Sequence, residues 1–146
     1  MSASNTFENG LLLHIFQNTN YANIGDVTGI RGSTIAGSLY VSLHTADPGE
    51  AGTQTTSEAS YTGYARIGIA RSAGGWTVST NNYSNAAIAP FAACTAGSNT
   101  ITHFGIGSAT SGTGDLLLSG ALTASLAVSA GITPSFAIGA LSGTLD

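Results

Sequence analysis

Lysine is absent from this sequence, and charged residues of any kind are scarce. Arginine occurs three times among the 146 residues, and charged residues make up 7% of the chain, whereas about 25% is usual for a soluble domain. Nucleic-acid binding needs several Lys or Arg side chains that displace counterions from phosphates, so we expect no nucleic-acid partner. A weakly charged surface of small side chains suits close packing against other protein, because such side chains lose little entropy on ordering.

Cysteine occurs once, and long apolar runs are missing. Cys94 cannot form an intramolecular disulfide, which is typical of a protein made in a reducing cytosol, and we interpret it as a small buried side chain. No run approaches the roughly 18 apolar residues of a membrane span. No basic segment precedes the apolar stretch at residues 11–16, so the sequence predicts neither a secretion signal nor a membrane anchor.

Motifs for catalysis and cofactor binding are also missing. The sequence has no Gly-x-Ser-x-Gly nucleophile elbow. The Gly-x-Gly segments at 105–107 and 112–114 do not extend to a dinucleotide fingerprint, and a lysine-containing phosphate loop is impossible. We therefore predict no enzymatic activity and no cofactor.

Residues that could bind a metal ion show no metal-binding spacing. The histidines are far apart in sequence, although His44 and His103 both fall in predicted strands and could converge. Asp47, Glu50 and Glu58 share a predicted loop whose oxygens could bind a hard cation. Their spacing does not match a calcium-binding loop, so we predict no metal site.

The N-terminal segment has the pattern of a helix. Asn5 followed by Glu8 is typical of an N-cap and capping box, and the pattern predicts a helix over residues 5–18. This helix either covers a side of its own sheet, which we favour, or docks on a neighbouring subunit. Its apolar stripe consists of Phe7, Leu11 and Ile15, widened by Leu12 and Phe16.

From residue 38 onward the apolar period changes to two. Leu39, Val41 and Leu43 alternate with more polar neighbours, and similar alternation recurs near residues 65–69, 76–78, 101–106, 126–128 and 132–138. Short strands separated by Gly, Ser, Asn and Thr clusters are typical of all-β folds, and we expect about seven to nine of them. The sequence thus predicts a mainly β fold, a compact β-sandwich or barrel of short antiparallel strands with one N-terminal α-helix. We expect a single domain over residues 1–146, with its β part at 38–146.

Two segments outside this alternation are informative. Residues 46–49 form a Pro-Gly turn and open a long polar segment, 49–62, which we predict to be an extended surface loop or arm. Residues 121–145 carry no charge, and we interpret them as buried strands because disordered tails are polar and charged. The candidate interface residues are Phe7, Leu11 and Ile15 on the helix, and Asp47, Pro48, Glu50 and Glu58 on the loop.

Four aromatic residues lie close together in sequence: Tyr61, Tyr64, Trp76 and Tyr83. Exposed rings of this kind could form a carbohydrate-binding platform. We favour the alternative, in which they pack in the core and across strands.

Several stretches of the chain resemble a family of small structural proteins of tailed bacteriophages. They are LYVSLHTADPGEAGT from Leu39, YTGYAR from Tyr61, a Trp-containing strand, ITHFGI from Ile101, LLLSGAL from Leu116, and ITPSF from Ile132. The resemblance covers nearly the whole chain from Leu39 and, more loosely, the helix. It implies a virion protein without catalytic residues, made in the host cytoplasm.

The resemblance leaves the place in the virion open. Long fibres need extended repeats or coiled-coil segments, and the sequence has neither. We therefore favour a capsid decoration (cement) protein that binds the major capsid protein on the capsid surface and associates with itself, with a trimer as the expected oligomer. The alternative is a tail fibre, tail-tip or baseplate component for host attachment. A tail-borne glycan hydrolase ranks third, because the carboxylates show no pairing.

Overall fold

The computed structural model describes residues 2–145 and shows one helix followed by strands of 2 to 14 residues. No helix in this part of the chain is long and apolar enough to cross a membrane. The elements are α1 (Asn5–Gln17), β1 (Ser38–His44), β2 (Ile67–Ala70), β3 (Trp76–Ser79), β4 (Asn82–Asn85), β5 (Ala89–Pro90), β6 (Ser98–Gly107), β7 (Leu116–Ser129), β8 (Ser135–Phe136) and β9 (Ser142–Thr144).

The strands form three sheets. Their orders are β2-β1-β6-β7, β3-β4-β9 and β5-β8. The β1–β6, β6–β7, β3–β4 and β4–β9 pairs are antiparallel. The predicted mainly β class with one N-terminal helix is therefore confirmed, and none of these sheets closes on itself within the described residues.

The chain divides into two units. Unit 1 comprises the chain up to Ser38, Ile69–Ile88 and the chain from Phe136 onward, and unit 2 comprises Leu39–Gly68 and Ala89–Ser135. Each unit thus collects segments that are distant in sequence. The expectation of one domain over residues 1–146 stays a prediction.

Helix α1 in unit 1 begins one residue earlier than its predicted cap implies. The N-cap is Ser4, whose Oγ accepts a hydrogen bond from the Phe7 N–H (3.3 Å), so the prediction of Asn5 as cap was wrong. Ser and Asn are comparable caps, and the pattern alone did not separate them. The helix ends at Gln17, before a left-handed Asn18 with φ of 56°.

The buried face of α1 lies on the side of the predicted stripe that Leu12 and Phe16 widen. Glu8, Leu12 and Phe16 are buried, whereas Phe7 is 42% exposed. The Phe16 ring stacks on Tyr83 at 4.3 Å and meets the Trp76 ring edge-on at 4.8 Å, centroid to centroid. This aromatic cluster forms the core of unit 1.

The core of unit 2 lies along β1 and β6. Val41, Leu43, Ile101 and Ile106 are almost fully buried. The register pairs His44 with His103, so these two histidines do converge as the strand pattern allowed. Cys94 is also buried in unit 2, and its thiol donates to the Ala96 carbonyl at 3.3 Å.

Segment 49–62 of unit 2 is not the predicted arm. Gln54, Ala59 and Tyr61 are buried. The Ala59 N–H donates to the Leu43 carbonyl at 2.8 Å, and the Thr45 N–H donates to the Ser57 carbonyl at 2.8 Å. The segment therefore lies against the end of β1, and its polar composition reflects hydrogen bonding rather than extension into solvent.

The charge-free end of the chain is exposed. Within residues 116–145 only Val128, Pro134 and Leu141 are buried, so the prediction of buried strands there was wrong. Strand β7 lies at the edge of its sheet and alternates between half-buried and exposed residues over most of its length. Absence of charge in this stretch therefore does not reflect burial within the chain.

Candidate functional site

A groove in unit 2 brings two of the predicted interface residues beside an open strand edge. Its volume is about 440 Å³. One wall comes from the turn after β1 and the other from the first residues of β7. The lining residues are Asp47, Gly49, Glu50, Leu116, Leu117, Leu118 and Ser119.

The turn that forms the first wall follows from its sequence. The Asp47 Oδ1 atom accepts a hydrogen bond from the Gly49 N–H at 2.9 Å, and Gly49 takes a φ of +69°, which glycine adopts without strain. Pro48 is buried beneath the turn, while Asp47 and Glu50 are exposed. The groove therefore presents two carboxylates to solvent.

The second wall is a free sheet edge. Within residues 2–145, strand β7 has β6 on one side and no strand on the other, and its pairing with β6 is irregular at Leu116–Leu118. Leu117 is 45% exposed. An unprotected edge offers unpaired backbone donors and acceptors to another chain. Here the exposed Leu117 side chain lies beside that edge.

Glu58, also predicted at the interface, is half-buried and hydrogen-bonded within unit 2. Its Oε1 accepts from Arg66 Nε at 2.6 Å and from the Tyr64 hydroxyl at 2.8 Å, and its Oε2 accepts from Arg66 Nη2 at 2.8 Å. The hydrogen bond to Glu58 raises the pKa of Arg66, and burial raises the pKa of Tyr64. Arg66 also donates to the carbonyls of Ala109 and Gly112, so this network fastens the 108–114 turn.

Ser42 and His44 form a hydrogen-bonded pair that resembles a nucleophile and its base. The His44 Nδ1 atom lies 2.8 Å from the Thr56 carbonyl oxygen, which can only accept, so Nδ1 carries the proton and Nε2 accepts from the Ser42 hydroxyl at 2.8 Å. Both residues are 0% exposed, and burial lowers the pKa of His44. Neither side chain is therefore exposed to solvent.

Gly105 lies in close contact with this pair. A Cβ on Gly105 would lie 2.6 Å from His44 Nε2 and 2.7 Å from Ser42 Oγ. The pair therefore belongs to the closely packed region where β1 and β6 are neighbours in the sheet.

The predicted helix face is only partly covered in unit 1. The Phe7 and Tyr21 rings are 6.0 Å apart, and Leu11 and Ile15 are half-buried. A Cβ on Gly10 would lie 2.8 Å from the Tyr21 ring, so Tyr21 lies directly on the helix. Whether Phe7, Leu11 and Ile15 contact another protein stays a prediction.

Unit 1 also exposes apolar side chains that sequence reasoning missed. They lie mostly in the irregular segment between α1 and β1, where no period marks them. The sequence feature that could have identified them is the presence of several β-branched residues in a Gly- and Asn-rich loop. The exposed fractions are 38% for Ile24, 83% for Val27, 41% for Ile30, 84% for Ile35, 64% for Ile88 and 66% for Ile138.

Arg31, in this segment, differs from the other two arginines. Arg66 is buried in its network, and Arg71 is half-buried and donates to the carbonyls of His14 and Ile15 near the helix C-terminus at 2.7 and 2.6 Å. Arg31 is exposed. It is the only exposed Lys or Arg side chain within residues 2–145.

The described residues do not form the metal site or the carbohydrate-binding platform that the sequence could have provided. Among the described residues no three His, Cys, Asp or Glu side chains group as metal ligands would. The Tyr61 and Tyr64 rings pack edge-on at 5.4 Å, and Trp76 and Tyr83 belong to the core of unit 1. The preference for packing over a carbohydrate platform is therefore confirmed for these rings.

Comparison with known protein families shows a match that covers nearly the whole chain. The family model described as "Podophage GP4 fiber I protein gp80" matches residues 2–144. No curated protein matches the chain.

Proposed function

This chain belongs to the podophage GP4 fiber I protein gp80 family and is a structural protein of the phage virion, and we propose that it is a fibre component of the tail. The word fiber in the family description supports this proposal. In this role the protein works by contact with copies of itself and with neighbouring virion proteins.

The exposed, charge-free end of the chain is the observation that best supports a function through protein–protein contacts. Residues 116–145 include no Asp, Glu, Lys, Arg or His, yet only Val128, Pro134 and Leu141 among them are buried. Surfaces that stay in water normally carry about a quarter of their residues as charges, and apolar patches beyond a few hundred Å² mark interfaces. Such a surface is suited to being covered by protein.

A second candidate is the decoration of the capsid through the major capsid protein. It is favoured by one feature of the described residues, which contain one helix of 13 residues and no long helical segment that could extend a fibre. A small subunit of this kind could cement neighbouring capsomers by adding interface area. In either place we propose that the protein associates with itself, with a trimer as the expected ring.

The experiment compares particles assembled with and without this protein. If it is a fibre component, particles lacking it should retain their DNA on heating as complete particles do but should adsorb poorly to host cells. Antibody labelling of complete particles should then mark the tail. Normal adsorption together with DNA loss at lower temperature, and label on the capsid, would replace the fibre proposal with decoration.

A further inference from the structure

We infer that the acidic groove of unit 2 is the contact site for a second copy of this chain, which inserts the exposed segment around Arg31. The inference rests on the proposed self-association and specifies its surfaces. The groove is the one lined by Asp47, Glu50 and the start of β7.

The charges of the two surfaces are complementary. Asp47 and Glu50 are exposed at the groove, and neither carboxylate forms an ion pair within residues 2–145. Among the Lys and Arg side chains of the same kind of chain, the available cation is Arg31, because Arg66 and Arg71 are occupied by their hydrogen bonds and lysine is absent. Opposite charges that meet across an interface fix its register and suppress other pairings.

The apolar parts of the two surfaces also correspond. Ile30, beside Arg31, is 41% exposed, and Ile35 is 84% exposed. In the groove, Leu117 is 45% exposed next to the free edge of β7. In the proposed contact, the isoleucines near Arg31 pack on Leu117. Arg31 itself meets the two carboxylates of the groove.

The backbone near Arg31 is fixed in place to present this side chain. The N–H groups of Tyr21 and Ile30 donate to each other's carbonyls at 2.8 and 2.9 Å, and the Gly32 N–H donates to Asn20 Oδ1 at 2.9 Å. Asp26 Oδ1 accepts from the backbone N–H groups of Thr28 and Gly29, at 2.7 and 3.1 Å. A held loop loses less entropy on binding than a free one.

The contact has a direction, because donor segment and groove are different surfaces. One copy supplies Arg31 and the next supplies the groove, so each copy can use both surfaces. Such head-to-tail contacts close into a ring when the rotation between copies permits it. They therefore agree with a small cyclic oligomer.

A charge swap tests the contact in the purified full chain. Glu50→Arg and Arg31→Glu should each weaken self-association about tenfold or more, as measured by analytical ultracentrifugation over a range of concentrations. The double variant Arg31→Glu/Glu50→Arg keeps the net charge and should restore association to near the original value. Thermal unfolding should confirm that every variant is folded.

Asp115 provides a matched control. It is exposed, lies in unit 2 next to β7 and does not line the groove. Arg31→Glu/Asp115→Arg has the same net charge as the swap but should stay weakly associated. Equal recovery in both double variants would overturn the inference in favour of a general charge effect.

The remaining outcomes separate this inference from the proposed function. If the unaltered chain oligomerises and Arg31→Glu does not weaken it, the inference is overturned and self-association stands. If the unaltered chain is a monomer at all concentrations, both self-association and this contact are overturned. The fibre assignment is decided by the particle experiment alone.

Discussion

Three polar side chains in unit 2 are buried or half-buried, and their chemistry serves packing. Ser42, His44 and Glu58 bring hydroxyl, imidazole and carboxylate groups to the strand and loop that flank the groove. Each is hydrogen-bonded within unit 2, as buried polar groups must be to avoid a desolvation penalty of about 1–3 kcal/mol each. These hydrogen bonds therefore tie β1 and the segment after it into unit 2.

His44 should make the stability of the protein depend on pH. Burial holds the pKa of His44 below 6.5, so between that lowered pKa and about 6.5 the unfolded chain binds more protons than the folded chain. The free energy of unfolding should fall as pH drops below about 6.5, by at most about 1.4 kcal/mol per pH unit. Urea unfolding from pH 5 to 8 measures this.

The comparison variant is His44→Gln, whose amide can donate to the Thr56 carbonyl and accept from Ser42. It lacks a titrating group, so its unfolding free energy should vary less over the same pH range, whatever its absolute value. An equally steep profile in this variant would assign the dependence to other groups.

At the scale of the element, α1 shows how close two helical faces can be. Leu11 and Leu12 are adjacent, yet Leu12 is 2% exposed and packs in unit 1 while Leu11 is half-buried. The row that contains Leu11 and the row that contains Leu12 share the same period and lie about 100° apart around the helix, and the predicted stripe included both. Sequence alone did not choose between them.

This pair gives a matched test of the two faces. Leu12→Ala should lower the free energy of unfolding by about 2–5 kcal/mol, because it leaves a cavity in a packed core. Leu11→Ala should lower it by less than half as much. If the predicted helix face also contacts another protein, Leu11→Ala should still reduce incorporation into virions. Equal destabilisation by the two variants in chemical unfolding would contradict the assigned face.

The elements that sequence located well are those with strong local patterns. Alternation identified β1 and the central part of β6, and the Asp-Pro-Gly turn after β1 has the expected left-handed Gly49. The groove's carboxylates were identified from the same turn. Packing of segment 49–62 could not be predicted, because burial of Gln54 depends on a hydrogen bond to the Tyr40 carbonyl, which no local pattern reports.

At the scale of the whole molecule, scarcity of charge had two explanations that sequence could not separate. The first is burial within its own chain, and the second is contact with another chain. The structure excludes the first for most of residues 116–145, and this includes the edge strand β7. Low charge in this protein is thus a property of its surface.

A charge placed on that surface should therefore disturb assembly and leave folding intact. Thr123 on β7 and Thr77 on β3 are both exposed strand threonines, and lysine at either should change the free energy of unfolding by no more than about 0.5 kcal/mol. Only Thr123→Lys places an unpaired charge in the charge-free stretch, where covering it with protein would cost several kcal/mol. We expect virions made with Thr123→Lys to contain fewer copies per particle than those made with Thr77→Lys, as measured by quantitative mass spectrometry against the major capsid protein. Equal copy numbers for the two variants would mean that β7 remains in contact with water in the virion, and the contact role of this stretch would have to be abandoned.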